Sequence, residues 1–193
     1  MNNYNNILNF YEEYIKIEQV IRKGWLMREV PSPRLESVGD HTLQLIMLAS
    51  VITKELGIEV DLKKLVEMLL IHDIGETIIG DISDVEKDAN IKKLKEKEAV
   101  KNILSNLNDT NANYYYQLWL EMERKETDLS KLAYSLDKID AVIKAGIYEK
   151  EYNINGLFDE FYSFQVQRGT FNNNVLEEFF IFLKDRFDKK VAK

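Results

Sequence analysis

Apolar residues recur at Ile7, Leu8, Tyr11, Ile15, Ile17, Val20 and Ile21. This imperfect three-to-four spacing predicts a helix over about Asn6–Arg22, with Gly24 as its stop. VPSPRLES holds both prolines, Pro31 and Pro33, and reads as a loop. A second helix is expected over Ser37–Leu56. Ser37 serves as N-cap and Asp40, three residues on, completes a capping box ahead of Leu45, Leu48, Val51 and Ile52. Gly57 ends it and Asp61 caps a third helix, whose Leu65, Leu69 and His72 fall on adjoining parts of one face.

Gly75 and Gly80 mark a turn-rich connection. The charged segment from Val85 to Leu107 reads as a solvated amphipathic helix. Asn113–Lys125, Leu129–Tyr152 and Asn174–Lys189 are further helices, with Ile154–Gly156 punctuating the last two. No strand period or internal repeat interrupts this pattern, so the expected architecture is an all-α bundle.

Composition narrows the classes. A length of 193 residues favours one domain, and 45% hydrophobic with 31% charged residues is the balance of a globular chain. The absence of cysteine excludes disulfides and thiolate metal sites. A formal charge of −7 disfavours long nucleic acids as partners, while leaving room for a small anion recruited by a local cation. The start MNNYNN lacks the features of a secretory leader, and the apolar runs are too short to span a bilayer. The cytoplasm is the expected compartment.

The segment LLIHDIGETIIGD, Leu69–Asp81, sets charged groups in apolar surroundings. An unpaired charge there is costly, so something must compensate it. Without cysteine, a metal site needs imidazole and carboxylate ligands. The only histidines are His41, after Asp40, and His72, before Asp73; Glu76 follows His72 by one helical turn. An isolated histidine on an apolar face is more often a core residue, but the joint arrangement points to a cation. A fourth ligand is sought in LAYSLDKIDAVIKA, where Asp137 and Asp140 compete. Either could instead pair on the surface with Lys131, Lys138 or Lys144.

RKGWLMREV, ESVGDH, HDIGETIIGD and LDKIDAVI, in this order, resemble the corresponding blocks of the HD-domain metal-dependent phosphohydrolases, and within them the 5′-deoxynucleotidase branch. The resemblance covers about residues 22–152, the motif core of one HD-type domain over 1–193, and leaves 153–193 as a helical extension. It implies that His41, His72, Asp73 and Asp137 bind one divalent metal ion, with Mn, Co, Zn, Mg, Fe and Ni all admissible. It puts Glu76 beside Asp73 in catalysis, orienting or deprotonating the attacking water. It gives Asp81 the sugar hydroxyl, and Arg22 and Trp25 the neighbourhood of phosphate and sugar; Lys23 and Gly24 stand between these two, which some members have adjacent.

The implied reaction is removal of the 5′-phosphate from (deoxy)nucleoside 5′-monophosphates. Hydrolysis of a phosphodiester or an alarmone is the competing enzymatic reading, and two histidines are too few for two-metal HD phosphodiesterases. A non-catalytic metal-binding module is the third reading. The aromatic run Tyr114–Trp119 reads as helix packing or a dimer face rather than a nucleobase platform, and Phe158–Phe164 and Glu177–Leu183 read as helix seams that bury the carboxy-terminal segment. A homodimer acting on a small nucleotide, with no membrane or long nucleic acid as partner, is the expected assembly.

Overall fold

The structure is a computed structural model and describes residues 4–81, 89–171 and 173–188. The described part of the chain is all-α: α1 (Tyr4–Tyr14), α2 (Lys23–Leu26), α3 (Val38–Glu55), α4 (Leu62–Ile71), α5 (Glu76–Ile79), α6 (Ala89–Leu104), α7 (Asp109–Arg124), α8 (Asp128–Tyr152), α9 (Leu157–Arg168) and α10 (Asn174–Asp188). A 3₁₀ turn over Ile15–Gln19 follows α1. The first part of the expected Val85–Leu107 helix lies outside the described residues.

Local signals explain several helix starts. The Ser37 and Asp40 side chains form the reciprocal capping box of α3. Asp61 accepts the Lys64 N–H at 3.0 Å to open α4. Thr127 and Ser130 form a second capping box for α8. The amino-terminal segment differs from expectation. Its helix stops at Tyr14, and Val20 is extended because its carbonyl accepts the Val38 N–H while the Arg22 N–H donates to the Glu36 carbonyl. An antiparallel bridge joins Ile21 to Ser37, and Gly24 lies inside the short α2 rather than ending a longer helix.

The long α8 is the axis of the core, packing against α3, α4, α7, α9 and α10. Leu136 and Ile139 of α8 meet Leu45, Leu65, Leu69 and Ile74 with essentially no exposure. Burial of each such side chain stabilises the fold by roughly 1.5–3 kcal/mol. The same cluster takes in Phe158, Leu176, Phe180 and Leu183 from α9 and α10. Among the described residues no helix is long and apolar enough to cross a membrane.

Candidate metal centre

The capping box sets where α3 begins, and His41 follows in its first turn with 0% exposure. Its Nδ1 lies 2.7 Å from Asp140 Oδ2. An ionised carboxylate only accepts, so Nδ1 carries a proton, and whenever the ring is neutral Nε2 is the nitrogen that presents a lone pair. His72, at the end of α4, repeats the arrangement: its Nδ1 donates to the Leu69 carbonyl at 2.7 Å. The two rings meet edge to face with centroids 5.5 Å apart.

Both Nε2 atoms are buried and make no hydrogen bond. Each nevertheless faces a carboxylate oxygen, Asp137 Oδ1 at 3.1 Å from His41 Nε2 and Asp73 Oδ2 at 3.0 Å from His72 Nε2. Lone pairs opposed to carboxylates at this distance repel unless they share a proton or a cation. Ligand atoms of His41, His72 and Asp73 all lie within 4.8 Å of one another. Asp137 adjoins this group through His41, its second oxygen paired with Lys138 Nζ at 2.7 Å. The N/O donor set and two orphaned imidazole nitrogens fit a divalent cation. Asp140 instead stands behind His41, where it orients the ring.

The electrostatics follow from the same crowding. Burial and Arg22 push the His41 imidazolium down, Asp137 and Asp140 push it up by more, and the balance lies at about 9. Burial raises Asp73, but the His72 imidazolium beside it brings it to about 2. Glu76 opens α5 at 9% exposure; burial, then Asp73, Asp81 and Glu96, hold its carboxyl well above the usual range, against Arg22.

The segment from Ile71 to Ile79 is not one continuous helix. Turn-type bonds from Ile74, Glu76 and Thr77 N–H to the carbonyls three residues back break the α ladder, so Glu76 starts a new turn beside the histidines.

Asp81 Oδ2 accepts the Lys23 N–H at 2.6 Å, which ties the end of this segment to the start of α2. Arg22, just before, keeps 19% of its side chain exposed and pairs with Glu36. Trp25 is different. At 1% exposure its ring stacks on Phe161 and meets Tyr148 edge-on, while its Nε1–H donates to Glu36 Oε2 at 2.7 Å. In this position the indole supports Glu36 and presents no open face to a ligand.

Two residues escaped the sequence reading. Trp119 of α7 donates its Nε1–H to the His72 carbonyl at 3.1 Å, bracing the metal-facing turn. Glu96 of α6 is buried against Gly75, where a Cβ would come 3.2 Å from its Cγ. Its helix is otherwise so charged that no sequence signal separates it from the solvated acids around it. The tryptophan was visible only as one member of an aromatic run.

The family model described as "HD domain" matches residues 15–177. The chain is 32% identical over 158 residues to "5′-deoxynucleotidase HDDC2" of Danio rerio, covering 81% of this chain and 76% of that protein. It is also 32% identical over 152 residues to the protein of the same name from Dictyostelium discoideum, covering 76% and 79%. A conserved hypothetical protein from Pyrococcus furiosus superposes with a TM-score of 0.76 at 26% identity, covering 92% of this chain and 99% of that one. The chain belongs to the HD-domain family.

Proposed function

We propose that this HD-domain protein is a metal-dependent phosphomonoesterase that removes the 5′-phosphate from deoxynucleoside 5′-monophosphates. The observation that carries the reading is the pair of buried, unpartnered Nε2 atoms of His41 and His72 facing Asp137 and Asp73, with Glu76 and Arg22 beside them. Relatives named 5′-deoxynucleotidase at about 30% identity supply the substrate class.

One divalent ion held by His41, His72, Asp73 and Asp137 would supply positive charge that acidifies water and offsets the charge of the phosphate. Glu76, buried at the start of α5 beside the histidines, accepts the proton of the attacking water. The water oxygen forms a bond to phosphorus as the P–O5′ bond breaks with its electron pair going to O5′. The proton taken by Glu76 then neutralises that alkoxide. Arg22 neutralises a non-bridging phosphate oxygen, and Asp81 accepts a hydrogen bond from a sugar hydroxyl. Trp25 packs behind Arg22 rather than stacking on the base.

Phosphate release from ribo- and deoxynucleoside monophosphates, with Mn²⁺ or Co²⁺ added, tests the proposal. Wild-type protein should act on the deoxy forms, and Glu76→Gln should lose turnover while retaining metal and fold. A metal-loaded wild type inert across the panel refutes it. The reading includes a homodimer, supported by the outward-facing Leu43, Met47 and Val51 of α3 and tested by the mass from light scattering.

A further inference from the structure

Glu36 is 2% exposed, and its carboxylate faces residues of α2 and α8 rather than the metal-facing atoms. Its Oε2 accepts from Trp25 Nε1 at 2.7 Å and from Arg22 Nη1 at 3.2 Å. Its backbone carbonyl also accepts the Arg22 N–H at 3.1 Å, so one residue grips both the main chain and the head of the arginine. The Glu36 N–H in turn donates to Tyr148 Oη at 3.0 Å, which anchors the grip to α8. Oε1 makes no hydrogen bond, and Lys144 Nζ stands 3.7 Å from it.

An ionised carboxylate is an expensive way to satisfy an indole N–H in a core, because a neutral acceptor serves that donor and escapes the desolvation cost. The charge makes sense against Arg22. It aligns one edge of the guanidinium and leaves the remaining donors for a second anion. The carboxylates of Asp73, Asp137 and Asp140 also act on Arg22, which sets its guanidinium beside the centre that a phosphate would enter.

We propose that Glu36 is a positioning residue for phosphate, acting through Arg22, with Trp25 and Tyr148 as its supports. The inference rests on the reading of the site as a nucleotide phosphohydrolase centre. It separates Glu36 from a merely structural ion pair because a residue acting through Arg22 loses its effect once Arg22 is gone.

The test is a double-mutant cycle on the metal-loaded full chain with Glu36→Gln, Arg22→Ala and the double variant, assayed on dAMP. Loss of a charge-assisted hydrogen bond predicts a KM raised about tenfold or more in Glu36→Gln, with a smaller change in kcat. The inhibition constant of inorganic phosphate should rise in the same ratio, while that of deoxyadenosine holds. Adding Glu36→Gln to Arg22→Ala should change nothing further. Multiplying single-variant effects, or an unchanged phosphate inhibition constant, overturns the inference while leaving the enzyme reading intact. A wild type inert on every nucleotide overturns both. If Glu36→Gln fails to fold, Glu36→Asp keeps the charge but shortens the reach, and the same rise in KM with metal affinity unchanged is required of it.

Discussion

The two nitrogens of His41 face different acids, and that division assigns different work to Asp137 and Asp140. Asp140 holds the Nδ1 proton, whereas Asp137 faces the lone pair of Nε2. Asp137→Ala should therefore remove a proposed ligand, and Asp140→Asn should only loosen one. Ring-orienting partners are worth about 10- to 100-fold in metal affinity, so chelator competition should rank Asp137→Ala below Asp140→Asn and both below wild type. The reverse order would exchange their roles. The same acids predict a pH effect. By raising His41 to about 9 they favour the proton that a metal must displace, so apparent metal affinity should keep rising with pH past the ordinary imidazole range toward about 9. A plateau already reached near 6.5, the unperturbed value, would contradict this. Sequence reasoning located both acids but could not rank them by geometry, since which nitrogen each one meets depends on a ring carried by α3.

At the scale of elements, what was legible is what is written locally. The Ser37–Asp40 box and the Asp61 cap each close a hydrogen bond three residues away, and both helices start where those residues say. The extended path from Val20 was not legible, because Val20 and Arg22 make their backbone bonds to residues 36–38. The turn between α4 and α5 is a third case. Gly75 has an ordinary negative φ of −60°, so its freedom from a side chain matters for space. A Cβ would stand 3.2 Å from Glu96 Cγ, the Glu96 carbonyl and Val100 Cγ2. Gly75→Ala should push α6 from the turn that carries Glu76, costing roughly 1–3 kcal/mol by overpacking. The melting temperature should fall by several degrees, and kcat should fall with it. A variant with both unchanged would show that α6 yields freely.

For the whole molecule, the residues beyond 152 decide whether the site stands on its own. The motif blocks end near Tyr152, yet α9 supplies Phe161 to the ring stack behind Trp25, and α10 lies so close to α8 that a Cβ on Gly146 would collide with Phe187. Phe180 of α10 stacks on Tyr162 at 4.3 Å and meets Phe171 at 4.2 Å, inside the cluster that contains Leu136 and Ile139 of α8. We propose on this basis that the chain unfolds as one cooperative domain. Both tryptophans report on the site, Trp25 behind Arg22 and Trp119 beneath His72, so fluorescence follows the centre while far-UV circular dichroism follows all helices. The two urea transitions should coincide in wild type. Phe180→Ala, far along the chain from any proposed ligand, should move both together by about 3–5 kcal/mol, the usual cost of emptying a buried aromatic site. A fluorescence transition that stays in place while the dichroism shifts would mean that α10 melts separately from the core that carries the two tryptophans.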